Sequence, residues 1–209
     1  MFKIANYWNQ KWDQASSESL GPNPFAEEAL SKITEHFGRT KNIHLLDLGA
    51  GSGKDSRFFA QHPISVSAID VSKHALSIIA ANNPDITTEQ QDFLDLRLPS
   101  QKYDVVYAHL SLHYFDDDTT REILKTIRST LKPDGLFFVK VKSIKDWQYG
   151  QGTQLAPNVF KDGHIRHFFT VESLSALLDG FAIKKIGETS DTYNGHQHGF
   201  VEAVVAKIK

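Results

Sequence analysis

The stretch that decides the fold is Leu45-Leu46-Asp47-Leu48-Gly49-Ala50-Gly51-Ser52-Gly53-Lys54-Asp55-Ser56. Its apolar beginning is typical of a buried β-strand, and its glycines stand where a helix pattern begins at Lys54. Glycine permits positive φ angles and lets a ligand lie against bare backbone. A helix start also offers free N–H groups and a partial positive charge, so this turn predicts a ligand crevice at the edge of an α/β sheet.

Strand and helix patterns alternate on either side of this turn. The predicted strands are Ile43–Leu48, Ile64–Asp70, Ile86–Gln91, Tyr103–Ala108 and Leu136–Val141. The predicted helices are Phe25–Phe37, Lys54–Ala60, one capped by Ser72, and one that begins with a capping box over Thr119–Glu122. This order predicts an α/β fold with a doubly wound, mostly parallel sheet. Two last strands, Phe181–Ile186 and Phe200–Ile208, have a polar loop and no helix between them, which predicts a C-terminal antiparallel hairpin.

Composition sets limits on the function. The chain has 209 residues, no cysteine, and 23 Lys+Arg against 25 Asp+Glu, which favours a single domain over residues 1–209. Without cysteine there is no disulfide, thiolate nucleophile or Cys-ligated metal. The balanced charge gives no reason to expect a nucleic-acid partner. No apolar run approaches the ~20 residues that cross a bilayer, and no signal-peptide pattern begins the chain. We therefore expect a cytoplasmic protein with no membrane partner.

Acidic residues follow the next two predicted strands. A dinucleotide fingerprint needs a third glycine where this chain has Lys54, and Gly53 lies one residue too early. Asp70 ends the second strand, where a carboxylate could hold a ribose diol. Asp92 and Phe93 follow the third strand and could accept from an exocyclic amine and flank a purine ring. The carboxyl ends of neighbouring parallel strands meet at one edge, so these residues predict a nucleoside site.

Together with Tyr103-Asp104-Val105-Val106, Leu131-Lys132-Pro133-Asp134-Gly135-Leu136 and the terminal hairpin, these motifs resemble the class I S-adenosylmethionine-dependent methyltransferases. The resemblance runs from about Asn42 to the end of the chain. It is closest to small bacterial proteins with a generic methyltransferase domain, a group that includes tellurite-resistance-type enzymes. It implies a Rossmann-like fold with a seven-stranded sheet, S-adenosyl-L-methionine as cofactor, and methyl transfer to oxygen or nitrogen of a small molecule.

The resemblance also implies which residues bind the cofactor. They lie in the glycine loop and at the strand ends that follow it: Asp47, Gly49, Ala50, Gly51, Ser52, Gly53, Asp55, Asp70, Val71, Asp92, Phe93, Ala108 and His109. The glycines would line the methionine end, and Asp47, expected to end the first strand, would help to hold the amino group through the loop. Asp70 would bind the ribose hydroxyls, and Asp92 the adenine amine. Asp70 could instead serve as a helix N-terminal charge, Asp92 could be an ordinary acid of a loop that also holds Asp95, and Phe93 could be a core residue.

Two histidines after the fourth predicted strand are the candidate catalytic residues. His109 and His113 are four residues apart, so on a helical turn they would share a face. One of them, and His109 in particular, could act as a general base or orient the acceptor. The alternatives are a packed, hydrogen-bonded loop, or a metal site; we expect no metal, because no H-E-x-x-H pattern is present.

Candidate acceptor contacts come later in the chain. The connection over residues 142–169 is long and polar, which is typical of a substrate-binding insertion. Within it, Tyr149 and Arg166 could contact the acceptor, and Arg166 could pair with a carboxylate or phosphate. His196 lies in the last polar connection and is a third candidate. A surface role remains the alternative for each of these residues.

The N-terminal residues 1–40 predict a helical lid or cap that precedes the sheet. Tyr7 and Trp8 could cap the sulfonium by a cation–π contact, or they could anchor the segment on the domain. Residues 16–24 are the most loop-like stretch. Two other functions stay open: an NAD(P)-dependent oxidoreductase, and a non-catalytic regulatory domain that binds S-adenosylmethionine. We expect a monomer or a weak homodimer with a small-molecule substrate.

Overall fold

The computed structural model describes residues 2–13 and 22–208. Most of the predicted loop over residues 16–24 therefore lies outside the described residues. The helices are α1 (Phe2–Asp13), α2 (Pro24–Phe37), α3 (Lys54–Ala60), α4 (Lys73–Asn82), α5 (Asp117–Thr130) and α6 (Val171–Leu177). The strands are β1 (Ile43–Leu48), β2 (Ile64–Asp70), β3 (Thr87–Gln90), β4 (Tyr103–His109), β5 (Leu131–Lys142), β6 (Thr153–Ala156), β7 (Val159–Asp162), β8 (His164–His167), β9 (Phe181–Tyr193) and β10 (His196–Lys207).

Seven strands form the main sheet in the order β3-β2-β1-β4-β5-β10-β9. The first five are parallel to one another, and β10 is antiparallel to both β5 and β9. The doubly wound sheet with a terminal hairpin is thus confirmed. The strand order reverses between β1 and β4, and the glycine loop leaves β1 at that point, where ligands of open α/β sheets bind.

Helices cover both faces of this sheet. Phe25 and Ile33 of α2 and Phe59 of α3 pack on one face, and Ile123 and Ile127 of α5 pack on the other. All five side chains are almost completely buried. Each contributes roughly 1.5–3 kcal/mol of hydrophobic stabilisation, so the two clusters fix the strands whose ends carry the candidate site.

Helix starts follow from side-chain caps. Ser72 caps α4 as predicted, since its hydroxyl accepts the backbone N–H of Ala75. The predicted capping box from Thr119 to Glu122 is wrong. Asp116 is the cap of α5, because its carboxylate accepts the backbone N–H of Thr119 and so places that residue inside the first turn.

The terminal hairpin is longer than the sequence suggested. The predicted polar loop between the two last strands is wrong, because β9 and β10 continue through it to a two-residue turn at Asn194 and Gly195. Their φ angles of 50° and 76° are those that an Asn-Gly hairpin turn needs. Beyond the core the strands expose both faces, so polar residues fit there. The tip of the hairpin therefore lies at the same edge of the sheet as the glycine loop.

The connection over residues 142–169 has its own structure. It contains the small antiparallel sheet β6-β7-β8, in which β7 pairs with both neighbours. Just after this small sheet, the backbone N–H of Phe169 donates to the carbonyl of Lys142 at the end of β5. Within the described ranges, no helix is both long and apolar enough to cross a bilayer.

Candidate active site

Close packing explains two of the three loop glycines. A Cβ on Gly49 would lie 2.4 Å from the Cβ of Ser111, and one on Gly53 would lie 2.4 Å from Cγ1 of Ile79. Both glycines also have φ angles of 82°, which other residues rarely adopt. Gly49 thus lets the loop approach the turn after β4, and Gly53 lets the start of α3 approach α4. Ala50 and Ser52 between them are half-buried.

Gly51 has a different neighbour. A Cβ there would lie 2.5 Å from Cζ2 of Trp12, so the indole of α1 lies directly over this glycine. Asn9 holds the same helix at the start of α4, because its side-chain oxygen accepts the hydroxyl of Ser72 at 2.7 Å. Helix α1 therefore covers the glycine loop.

Asp70 ends β2, where the sequence placed it. Its two oxygens accept the backbone N–H groups of Gly51 (2.9 Å) and Ser72 (2.8 Å). Burial raises the pKa of this carboxyl, and those hydrogen bonds oppose the rise. A carboxylate has about four acceptor positions, so two remain for a ribose diol. Asp70 both fixes the loop and fits the cofactor contact that the resemblance implies.

Asp92 and Phe93 lie beyond β3. Asp92 caps a short 3₁₀ helix through one oxygen, which accepts the backbone N–H of Leu94 at 3.0 Å. The ring of Phe93 is buried and stacks on Phe115 with 5.6 Å between ring centroids. Phe93 also lines a cavity of about 580 Å³ between this 3₁₀ helix and α5. Val71 is half-buried after β2, and its carbonyl accepts the side-chain amide of Gln90.

Asp47 points toward α3. It is the penultimate residue of β1 and not the last one, and its carboxylate accepts the hydroxyl of Ser56 at 2.5 Å. Burial, followed by the nearby charge of Asp55, raises the pKa of Asp47 to about 8. Its described contact is therefore with the helix after the loop, which differs from the loop contact that we expected.

A carboxylate–imidazole pair joins the glycine loop to β4. The Nδ1 atom of His109 lies 3.2 Å from Oδ2 of Asp55, which is almost completely buried. The same oxygen accepts the Nδ2 of Asn23 (2.5 Å) and the hydroxyl of Tyr107 (3.1 Å). Burial and the charge of Asp55 raise the pKa of Tyr107, so its hydroxyl remains a donor. Asp55 is thus held by the N-cap residue of α2 and by two residues of β4.

His109 is the last residue of β4 and does not lie beyond it, and Ala108 before it is fully buried in the strand. About a quarter of the His109 side chain is exposed. The expectation that His109 and His113 share a helical face is wrong. Leu110 adopts a φ of 55°, which turns the chain between the strand and the 3₁₀ helix Leu112–Tyr114.

His113 is buried without hydrogen bonds. Its side chain is 1% exposed, and neither ring nitrogen has a partner among the residues that the structure describes. Burial, and then the charges of Lys142 and Arg166, lower its pKa well below the usual 6.5. His113 is therefore a neutral imidazole whose donor and acceptor positions are unused among the described residues.

Aromatic side chains from three segments surround this region. The rings of Tyr7 and His164 have centroids 5.0 Å apart, as do those of Trp8 and Tyr114. Tyr114 lies 5.2 Å from His164 and 4.2 Å from His113. Helix α1, the turn after β4 and strand β8 therefore meet in one ring cluster, and Tyr7 and Trp8 belong to it.

The three predicted acceptor residues lie in different places. Arg166 shares a face of β8 with His164, and its side chain is 16% exposed. Tyr149 instead donates its hydroxyl to Asn158 within the inserted sheet. His196 stacks on Trp147 at the hairpin tip with 4.0 Å between centroids. The structure thus brings Arg166 alone of these three to the ring cluster.

Sequence reasoning missed several residues of the site. They are Lys11, Trp12, Asn23, Tyr107, Lys142 and Asp146. Asn23 before Pro24 has the pattern of a helix N-cap and could have been recognised. The others carry no local signal, since their roles depend on contacts between distant segments. Within residues 2–13 and 22–208, no group of three or more His, Asp or Glu side chains is arranged to hold a metal ion.

The family profile described as "Methyltransferase domain" matches residues 45–135. This range begins in β1 and ends in β5, so it contains the glycine loop, the two acids Asp70 and Asp92, and the Asp55–His109 pair. The match therefore covers the part of the chain from which the cofactor site was inferred.

Individual relatives agree with the profile. The chain is 26% identical over 152 residues to an uncharacterised methyltransferase of Synechocystis, a match that spans 71% of each protein. It is 23% identical to the ubiquinone biosynthesis O-methyltransferase of Rickettsia canadensis, over 64% of this chain and 57% of that protein. The fold is similar to Burkholderia thailandensis 1,6-didemethyltoxoflavin-N1-methyltransferase, solved with its substrate and S-adenosylhomocysteine. That structure gives a TM-score of 0.72, at 17% identity, over 98% of this chain and 85% of the other.

Proposed function

We propose that this chain, whose residues 45–135 match a methyltransferase domain, methylates oxygen or nitrogen of a small molecule with S-adenosylmethionine as the methyl donor. One relative is named as an O-methyltransferase, and one similar structure is of an N-methyltransferase with a small heterocycle bound. The charge balance of −2 supports a small acceptor over a nucleic acid.

The rim residues fit this cofactor. Asp70 and Asp92 each keep free acceptor positions for the ribose hydroxyls and the adenine amine. S-adenosylmethionine supplies an activated methyl group on a sulfonium cation when it is bound. The dinucleotide alternative lacks the third glycine of its fingerprint, because Lys54 occupies that position.

The Asp55–His109 pair carries the proposed chemistry. A carboxylate can only accept, so Asp55 favours the tautomer of His109 with its hydrogen on Nδ1. The Nε2 atom then has a free lone pair and takes the proton that the acceptor hydroxyl or amine loses. The hydroxyl of Tyr107 and the amide of Asn23 hold Asp55 in the orientation that this role needs.

Helix α1 would serve as a lid over this reaction. Trp12 covers the glycine loop, and Trp8 packs on Tyr114 in the turn that follows His109. A cover of this kind excludes water, which strengthens the electrostatic contacts within the crevice. The inserted sheet over residues 142–169 contributes Arg166 and His164 to the same cluster and would form part of the acceptor site.

The proposal is tested by following labelled methyl transfer from S-adenosylmethionine into a metabolite extract below about 1 kDa. We expect the wild-type protein to label a small molecule. His109→Ala should lower the rate about 100-fold, since general base catalysis contributes about 10²–10⁴-fold. Its affinity for S-adenosylhomocysteine should fall far less than the rate on calorimetry.

His44→Ala is the matched control, because His44 is exposed on β1 at the opposite edge of the sheet. It should label the extract at the wild-type rate. Label in macromolecules and none in small molecules would overturn the acceptor class. A protein that binds S-adenosylhomocysteine but transfers no label would favour the regulatory-domain alternative. Equal losses of rate and cofactor affinity in His109→Ala would contradict the base role.

A further inference from the structure

Three cationic side chains from three elements converge beside the ring cluster. Lys11 comes from α1, Lys142 from the end of β5, and Arg166 from β8. Burial lowers the pKa of Lys11, and the charges of Arg166 and Lys142 lower it further. Burial also lowers the pKa of Lys142, and the charge of Arg166 lowers it further. The charges of the three side chains therefore act on one another; Lys142 and the side chain of Arg166 are largely buried, whereas Lys11 is exposed.

The nearby carboxylates compensate these charges incompletely. Asp146 is buried and lies 2.7 Å from the Nζ of Lys142, but it is shared with His198 at 3.3 Å. Asp162 lies 3.8 Å from Arg166, and its side chain is 59% exposed, so water screens this pair. Among the described residues, no carboxylate lies within ion-pair distance of Lys11, whose ammonium rests over the Trp8 ring.

His113 adds a second, independent sign of a ligand at this place. Its two ring nitrogens are buried and have no hydrogen-bond partner within the part of the chain that the structure describes. The charges of Lys142 and Arg166 act on it, and the ring of Tyr114 connects it to His164. A buried polar group without a partner is rare unless a bound molecule satisfies it.

Resting on the proposed methyl transfer, we propose that the acceptor carries a carboxylate, which binds Arg166 beside Lys11 and Lys142, with His113 bonded to the same molecule. The planar fork of an arginine matches a carboxylate with two parallel hydrogen bonds. The three cations face two carboxylates, Asp146 and Asp162, so about one positive charge is left uncompensated. A single positive charge favours a monoanion over a phosphate dianion. The aromatic rings of Tyr7, Trp8 and Tyr114 provide an apolar wall around the remainder of the acceptor.

The cofactor also has a carboxylate, and the test separates the two sources. The protein is first saturated with S-adenosylhomocysteine, and acetate, benzoate, benzamide or inorganic phosphate is then titrated by calorimetry. We expect benzoate or acetate to bind this complex, and benzamide, the neutral match of benzoate, to bind at least about tenfold more weakly. Arg166→Gln should weaken carboxylate binding by about tenfold or more, and Arg166→Lys should restore part of it.

Controls keep the result specific. Arg39→Gln changes an exposed arginine between α2 and β1 and should leave carboxylate binding at the wild-type level. Lys11→Gln tests the site from a second element and should also weaken binding, whatever the folding of Arg166→Gln. Unchanged melting temperatures of the variants in the absence of ligand identify the losses as local.

Several outcomes would overturn the inference. The first is that neither acetate nor benzoate binds, or that benzamide binds as well as benzoate. The second is that phosphate binds more tightly than both carboxylates. The third is that Arg166→Gln and Lys11→Gln leave carboxylate binding unchanged. A large loss of S-adenosylhomocysteine affinity in Arg166→Gln would assign the cations to the cofactor's carboxylate. Failure of the proposed function is a different result, namely no methyl transfer by a protein whose carboxylate site behaves as described.

Discussion

The two sides of the crevice differ in charge and in how the chain builds them. The side of the glycine loop carries the carboxylates Asp47, Asp55, Asp70 and Asp92. The side of the lid and the inserted sheet carries Lys11, Lys142, Arg166, His113 and His164. The acidic side suits a cofactor with a sulfonium cation and a ribose, and the basic side suits an anionic acceptor. In the proposed function, the two sides therefore bind two different molecules.

The two sides also differ in sequence distance. The four acids lie within 46 residues of one another, at or near the ends of three successive strands and in the first turn of α3. The basic side takes one residue from α1, one from the turn after β4, one from β5 and two from β8. Local patterns therefore predict the first side, and only the folded chain reveals the second.

Removal of the Asp70 carboxylate should have the largest effect, and it should fall on the affinity of the acidic side for the cofactor. Asp70→Ala removes a carboxylate that could bind both ribose hydroxyls, and charge-assisted hydrogen bonds contribute about 1.5–3 kcal/mol each. We expect the affinity for S-adenosylhomocysteine to fall at least about 100-fold on calorimetry. Asp85→Ala is the matched control, since Asp85 is exposed between α4 and β3. Equal affinities of the two variants would show that the ribose lies elsewhere.

Asp47 makes the acidic side sensitive to pH. Its pKa is raised to about 8 in the folded protein by burial and by Asp55, against 3.8 for an ordinary aspartate. The folded state therefore binds more protons between these values, and its stability falls as pH rises toward 8. We expect the free energy of unfolding to fall by up to about 2 kcal/mol from pH 6 to pH 8 through this group.

Asp47→Asn should flatten this pH dependence in urea unfolding at pH 6, 7 and 8, because an amide does not ionise and can still accept the Ser56 hydroxyl. Asp85→Asn should keep the wild-type slope. A slope in Asp47→Asn as steep as that of the wild type would mean that Asp47 does not titrate in this range.

His164 reports on the basic side with a smaller effect. Its pKa is lowered to about 4 by burial, then by the charges of Arg166 and Lys11, while Asp162 opposes the shift. The unfolded state gains the proton first, so this group reduces stability as pH falls from about 6.5 toward 4. Tyr7 of α1 and Tyr114 after β4 also face its ring.

Arg166→Gln should raise the pKa of His164 toward its ordinary value, by a fraction of a pH unit, in an NMR titration of the ring protons. Arg39→Gln should leave this pKa unchanged. If the pKa of His164 is the same in Arg166→Gln and the wild type, the charge of Arg166 does not act on His164. One of the observations that places Arg166 beside Lys11 and Lys142 would then be lost.

Much of the fold follows from the sequence because its patterns are local. Strands β1, β2 and β4, the glycine turn and the cap at Ser72 need only neighbouring residues to be recognised. The hairpin tip was misjudged because polar strands outside a core lack alternation, although Asn194-Gly195 is itself a turn signal. The pairing of His109 with Asp55, 54 positions earlier, and the position of Trp12 over Gly51 depend on tertiary contacts that no spacing rule gives.

The most direct test of a crevice with two separate sides is calorimetric titration of S-adenosylhomocysteine into Asp70→Ala and Arg166→Gln side by side. The structure predicts that Asp70→Ala loses at least about 100-fold in affinity, while Arg166→Gln binds like the wild type. A comparable loss in Arg166→Gln, or none in Asp70→Ala, would contradict the division of the crevice into a cofactor side and an acceptor side.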